Sequence, residues 1–146
     1  MRVIIDADAC PVVKTAAAIC KEYHIECIAV CDTSHILSDD GVVVITVSKG
    51  ADSADWKIAN LSGKEDIVVT QDYGLAALCV EKCYAVLNQN GMIYDNDNIE
   101  YLLFARYESK KIRMSGGKTK GPKKRKKEQD RAFESQLREL ILKKYK

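Results

Sequence analysis

Short apolar, β-branched runs alternate with stretches of helical periodicity along the first 111 residues, and few folds are compatible with such an alternation. Strands are expected at residues 2–5, 27–31, 42–47, 67–70 and 84–87. Between them, Pro11 suits a first helical turn, and Val12, Ala16, Cys20 and Tyr23 recur at helical spacing, so a helix is expected over 11–24. Further helices are expected over 52–61, 73–82 and 99–111, the last capped by Asp95, Asp97 or Asn98. The pattern predicts an α/β domain with a mainly parallel central sheet.

From Met114 the composition changes abruptly. Ser115-Gly116-Gly117-Lys118-Thr119-Lys120-Gly121-Pro122-Lys123-Lys124-Arg125-Lys126-Lys127 reads as a basic loop, and Phe133, Leu137, Leu140, Ile141 and Tyr145 then mark one face of an amphipathic helix. The expected organisation is an α/β domain over 1–113, the loop over 114–127 and a closing helix over 128–146. With 146 residues, 47% of them hydrophobic, the chain has material for one ordinary core. Its net charge of +2 conceals an asymmetry: residues 1–109 carry 8 basic against 17 acidic side chains, and residues 110–146 carry 15 against 4. An acidic body with a basic tail points to a held cation or a polyanionic partner.

No apolar run exceeds six residues, which excludes a spanning helix of about 20. The start Met1-Arg2-Val3-Ile4-Ile5-Asp6 lacks the pattern of a secretory signal, so a cytoplasmic protein is expected. The six cysteines sit in apolar runs, which suits reduced core thiols better than disulfides. Cys27 with Cys31 and Cys79 with Cys83 lack the spacing of zinc knuckles. Cys10 stands before a helix start that could activate a thiol, although a buried structural role suits it better.

Carboxylates gather where strands are expected to end. Asp6 and Asp8 follow the first strand, Asp72 follows the run 67–70, and Asp52 and Asp55 share a face at a helix start. In a parallel α/β sheet these positions lie at the ligand-binding edge. Clustered carboxylates repel one another unless a cation neutralises them, so a Mg²⁺ or Mn²⁺ site is expected. Taken singly, Asp8 and Asp52 could instead be helix caps and Asp72 a turn residue.

Ile5-Asp6-Ala7-Asp8-Ala9-Cys10-Pro11-Val12, the stretch 50–55, Thr70-Gln71-Asp72-Tyr73-Gly74-Leu75-Ala76-Ala77-Leu78 and Gly116-Gly117-Lys118-Thr119-Lys120-Gly121-Pro122 together resemble the YaiI/YqxD family of small bacterial proteins. That family is similar to the PIN-like and NYN nucleases, which cut nucleic acids with Mg²⁺ or Mn²⁺. The resemblance implies a single three-layer PIN-like domain, with Asp6, Asp52, Asp55 and Asp72 as metal-binding acids and Asp8 as a fifth catalytic acid. The glutamate commonly supplied by a mid-chain helix in that superfamily is absent, which leaves its role to Asp52 and Asp55.

Ten basic residues lie between Lys110 and Lys127 with no intervening acid. Lys118, Lys120, Lys123, Lys124, Arg125, Lys126 and Lys127 are therefore expected to grip a phosphate backbone, RNA being the expected partner. A solvated basic segment that merely balances the acidic body is the plainer alternative. Two further functions compete with a nuclease: a non-catalytic nucleic-acid-binding module, and a phosphatase of the haloacid-dehalogenase type using Asp6-Ala7-Asp8.

Overall fold

A computed structural model describes residues 1–8, 10–32, 41–50, 53–117 and 124–145. The strands are β1 (Arg2–Asp6), β2 (Glu26–Asp32), β3 (Val42–Val47), β4 (Ile67–Val69) and β5 (Ala85–Leu87). The helices are α1 (Val13–Glu22), α2 (Ser53–Leu61), α3 (Tyr73–Val80), α4 (Asn96–Met114) and α5 (Lys127–Lys144). The expected elements are present, with ends displaced by a few residues. Pro11 lies in a turn two residues ahead of α1, and α4 begins three residues earlier than the apolar periodicity because Asp95 and Asn98 form a reciprocal capping box.

All five strands run parallel, in the order β3-β2-β1-β4-β5. Successive residues of a strand face opposite sides, so each apolar run feeds two cores. Val3, Ile5, Cys27, Ala29, Ile67, Val69 and Leu87 face α1 and α5, where Ile19, Phe133, Leu137 and Ile141 are buried. Ile4, Ile28, Val30, Val68 and Val86 face α2, α3 and α4, meeting Ile58, Leu75, Cys79 and Ile99. The result is a three-layer α/β/α domain.

Helix α5 completes the first layer. Phe133, Leu137 and Ile141 have no exposed surface. The Tyr84 hydroxyl donates to the Leu140 carbonyl at 3.0 Å near one end, and at the other Arg125 donates to Asn90 Oδ1 at 2.6 Å and to the Gln89 carbonyl at 2.7 Å. Tyr84 precedes β5 and Asn90 follows it, so α5 runs antiparallel to the strands and begins at their carboxyl ends. The edge of β5 is covered by its own continuation, with Asn88 N donating to Met92 O and Tyr94 N to Val86 O. Among the described residues no helix is long and apolar enough to cross a membrane.

Candidate active site

The strand order reverses direction between β1 and β4. α1 leaves β1 on one face of the sheet, and α2 and α3 flank β4 on the other, which opens a crevice at the carboxyl ends of these two strands. A cleft of 610 Å³ lies there. Asp6, Asp8, Asp32, Asp55 and Asp72 line it, together with Gln71, Tyr73 and Arg106. Four of the acids expected from sequence thus share one cleft; Asp52 lies outside the described residues.

Each acid is held differently. Asp6 ends β1 and accepts from the Thr70 hydroxyl at 3.0 Å. The same hydroxyl oxygen accepts from Asp72 N at 3.0 Å, so Thr70 ties the two strand ends together. Asp72 is the N-cap of α3: its Oδ1 accepts from Gly74 N at 2.8 Å and from Leu75 N at 3.2 Å. Sequence offered Asp72 a turn as its plainer role; it is instead the cap of α3, through one carboxylate oxygen, and it also lines the cleft. Asp8 does not cap α1, whose N-cap position is taken by Val12 without a side-chain bond. Asp8 Oδ2 instead accepts from Asp32 N at 3.0 Å, fastening the loop after β1 to the end of β2. Asp55 lies in the first turn of α2.

The electrostatics bear the mark of this crowding. Burial pushes the Asp6 carboxyl up to about 6; the Thr70 hydroxyl pulls it down, and the charges of Asp55, Asp72 and Asp8 push it further up. Arg106 of α4 brings a guanidinium to 3.6 Å from Asp72 Oδ1. Beneath the cleft, the buried Tyr94 hydroxyl donates to the Thr70 carbonyl at 3.1 Å, and its ring meets Tyr73 edge-on. Burial raises the Cys10 thiol above its ordinary range, so the nearby helix start does not activate it.

Two residues of the cleft escaped the sequence reading. Asp32 ends β2 as Asp6 ends β1, and the same rule of an acid directly after an apolar run would have found it. Arg106 carried no such signal, because its place depends on how α4 crosses the sheet.

Of the basic residues, Lys118, Lys120 and Lys123 lie outside the described residues. Lys124, Lys126 and Lys127 are exposed at the start of α5. Arg125 is engaged within the chain, since besides Gln89 and Asn90 it pairs with Asp130 at 2.6 Å. Its bonds to the turn after β5 put the start of α5 at the carboxyl ends of the strands, the edge that the acids line.

A family profile described as "Uncharacterized BCR, YaiI/YqxD family" matches residues 4–143. The chain is 50% identical over 137 residues to a "UPF0178 protein" of Ruminiclostridium cellulolyticum, covering 94% of this chain and 90% of the relative. A "UPF0178 protein" of Exiguobacterium sibiricum is 43% identical over 144 residues, 99% of both chains, and one of Clostridium kluyveri is 46% identical over 142 residues, 97% of this chain and 93% of the relative. No solved structure matches the chain at a significant level. A profile spanning nearly the whole domain, together with relatives of near-equal length, makes this protein a member of the YaiI/YqxD (UPF0178) family.

Proposed function

We propose that the cleft holds Mg²⁺ or Mn²⁺ and hydrolyses phosphodiester bonds in single-stranded RNA. The observation that carries this reading is the convergence of Asp6, Asp8, Asp32, Asp55 and Asp72 on the switch-point crevice, where burial and the charges of Asp55, Asp72 and Asp8 raise the Asp6 carboxyl to about 6. An all-carboxylate donor set suits a hard, oxygen-seeking cation. Among the described residues no three acid, histidine or cysteine side chains stand close enough to bracket an ion, so side chains of the cleft would have to close on it. Asp6, Asp55 and Asp72, with Asp52, are the residues that would hold the cation.

When bound, such a cation polarises a phosphoryl oxygen and lowers the pKa of an attacking water. The chain's own residues supply the rest. Thr70 orients Asp6 and Asp72, and the α3 N-terminus fixes Asp72. Arg106 is free to exchange its contact with Asp72 for a substrate phosphate, because its side chain is 59% exposed. Lys124, Lys126 and Lys127 would meet the backbone beyond the cleft. The phosphatase alternative is less well supported, because Asp8, its required acid/base, accepts from a backbone N–H of β2.

The test combines melting with and without Mn²⁺ and cleavage of a labelled single-stranded RNA. Wild type should show a metal-dependent rise in melting temperature and metal-dependent cleavage. Asp6→Asn and Asp72→Asn should each lose both while remaining folded. A wild type with neither property would overturn the reading and favour a non-catalytic binding module.

A further inference from the structure

Helix α4 is 19 residues long, yet Ile99 is its one buried residue. Tyr101, Phe104, Tyr107 and Met114 are 70%, 63%, 61% and 80% exposed. Phe104, Tyr107, Lys111 and Met114 recur at helical spacing, so they share a stripe about 15 Å long on the side away from Ile99 and Leu102. Rings left in water along one stripe form an exposed apolar patch of the kind that marks a binding surface. The C-terminal part of the stripe is also cationic, since Tyr107, Lys110, Lys111, Met114 and Ser115 line a groove of 520 Å³, while Glu100 and Glu108 stand one turn to either side of Phe104. Burying those lysines against an apolar protein surface would leave ammonium groups unpaired, at considerable cost. A polynucleotide satisfies both features, with flat bases for the rings and phosphates for the amines.

The groove and the acid cleft are lined from consecutive positions of α4, about 100° apart round the helix. Tyr107 lines the groove, and its chain neighbour Arg106 lines the cleft. We infer that the outward face of α4 is a stacking platform for single-stranded nucleic acid, with Phe104 and Tyr107 against bases and Lys110 and Lys111 on phosphates, and that it delivers the strand to Arg106. Only the delivery step rests on the nuclease reading; the platform stands without it.

Binding of a fluorescent 20-nucleotide oligouridylate, followed by anisotropy at several salt concentrations, tests the platform. The double variant Phe104→Ala with Tyr107→Ala removes two exposed rings and should keep the circular dichroism of wild type. It should bind about 30-fold more weakly or more, with an unchanged salt slope. Lys110→Ala with Lys111→Ala should lower the slope of log affinity against log salt by about 1.4. An abasic oligomer of equal length should bind wild type about as weakly as the ring variant binds the oligouridylate. Full affinity in the ring variant, or equal affinity of wild type for the abasic oligomer, overturns the platform. So does a wild-type dimer that the ring substitutions dissociate and that binds no oligomer, because the occupant is then a second copy of the chain. Binding without cleavage leaves the platform standing while the nuclease reading falls. Cleavage by wild type and ring variant alike, with equal affinity, does the reverse.

Discussion

Asp6 shows how one side chain connects stability to chemistry. Its carboxyl is held near 6 in the fold against an ordinary value of 3.8, so between these pH values the native state binds more protons than the unfolded chain. Stability from this group is therefore undiminished below about pH 4, falls as pH rises through 6, and stays reduced above it. The penalty at neutral pH is up to about 3 kcal/mol. In metal-free protein at pH 7.5, Asp6→Asn should raise unfolding free energy by an amount of that order, and the gain should vanish near pH 3. Denaturant titrations across pH check this; equal stability of the two proteins at pH 7.5 would show that neither burial nor the neighbouring acids disfavours the Asp6 charge. Asp66 works in the opposite direction at the other end of the sheet. Burial alone would raise its pKa, but hydrogen bonds from the Arg2 guanidinium and Gly63 N, with the Arg2 charge, hold it below the ordinary range. Its contribution is present at neutral pH and lost on acidification through that lowered value.

At the scale of elements, the ends of helices show where local sequence and global fold disagree. α1 ends in a Schellman arrangement, with Ile25 N donating to Cys20 O at 2.8 Å and His24 N to Lys21 O at 3.3 Å. The turn puts His24 at φ 58, in the left-handed region that favours glycine. His24→Gly should therefore stabilise the protein by about 1 kcal/mol, read as a rise in melting temperature. A fall would mean that the His24 side chain makes contacts that outweigh its backbone strain. Gly91 presents the opposite case. It has φ +84, and a Cβ there would lie 2.6 Å from the Ala132 carbonyl oxygen of α5. Gly91→Ala should cost about 2 kcal/mol or more, because neither the turn nor the α5 backbone can yield cheaply. Wild-type stability in that variant would show that α5 can move away from the turn.

Over the whole molecule, two apolar cores bury the two faces of the sheet. None of the six cysteines forms a disulfide, and four of them are buried within those cores. Reductant should leave the melting temperature unchanged, and so should chelator applied to metal-free protein. A drop with reductant would reveal a disulfide on which the fold depends. The basic segment also has a structural duty. Arg125 joins α5 to the turn after β5, so Arg125→Ala should lower stability by about 1 kcal/mol or more, whereas Lys124→Ala, on an exposed side chain, should be near neutral. Denaturant midpoints of the two variants separate these outcomes.

The strands and most of the helices were legible in the sequence because their signals are local: a strand buried on both faces reads as an apolar run, and the period of 3.6 marks a helix. The acids at strand ends were legible for the same reason, once a parallel sheet was inferred. Strand order was not, and with it went the membership of the cleft. Asp32 belongs there because β2 pairs with β1, and Arg106 because α4 crosses beside α3, contacts between residues 24 to 34 positions or more apart in sequence. The role of Asp8 was likewise decided in three dimensions, where an N–H of β2 lay within its reach and the start of α1 went uncapped. Sequence alone determined which segments would be strands, which would be helices and where charge would collect. Only the tertiary structure decided which charges share one low-dielectric crevice, because Coulomb interaction and desolvation depend on distance through space and not along the chain.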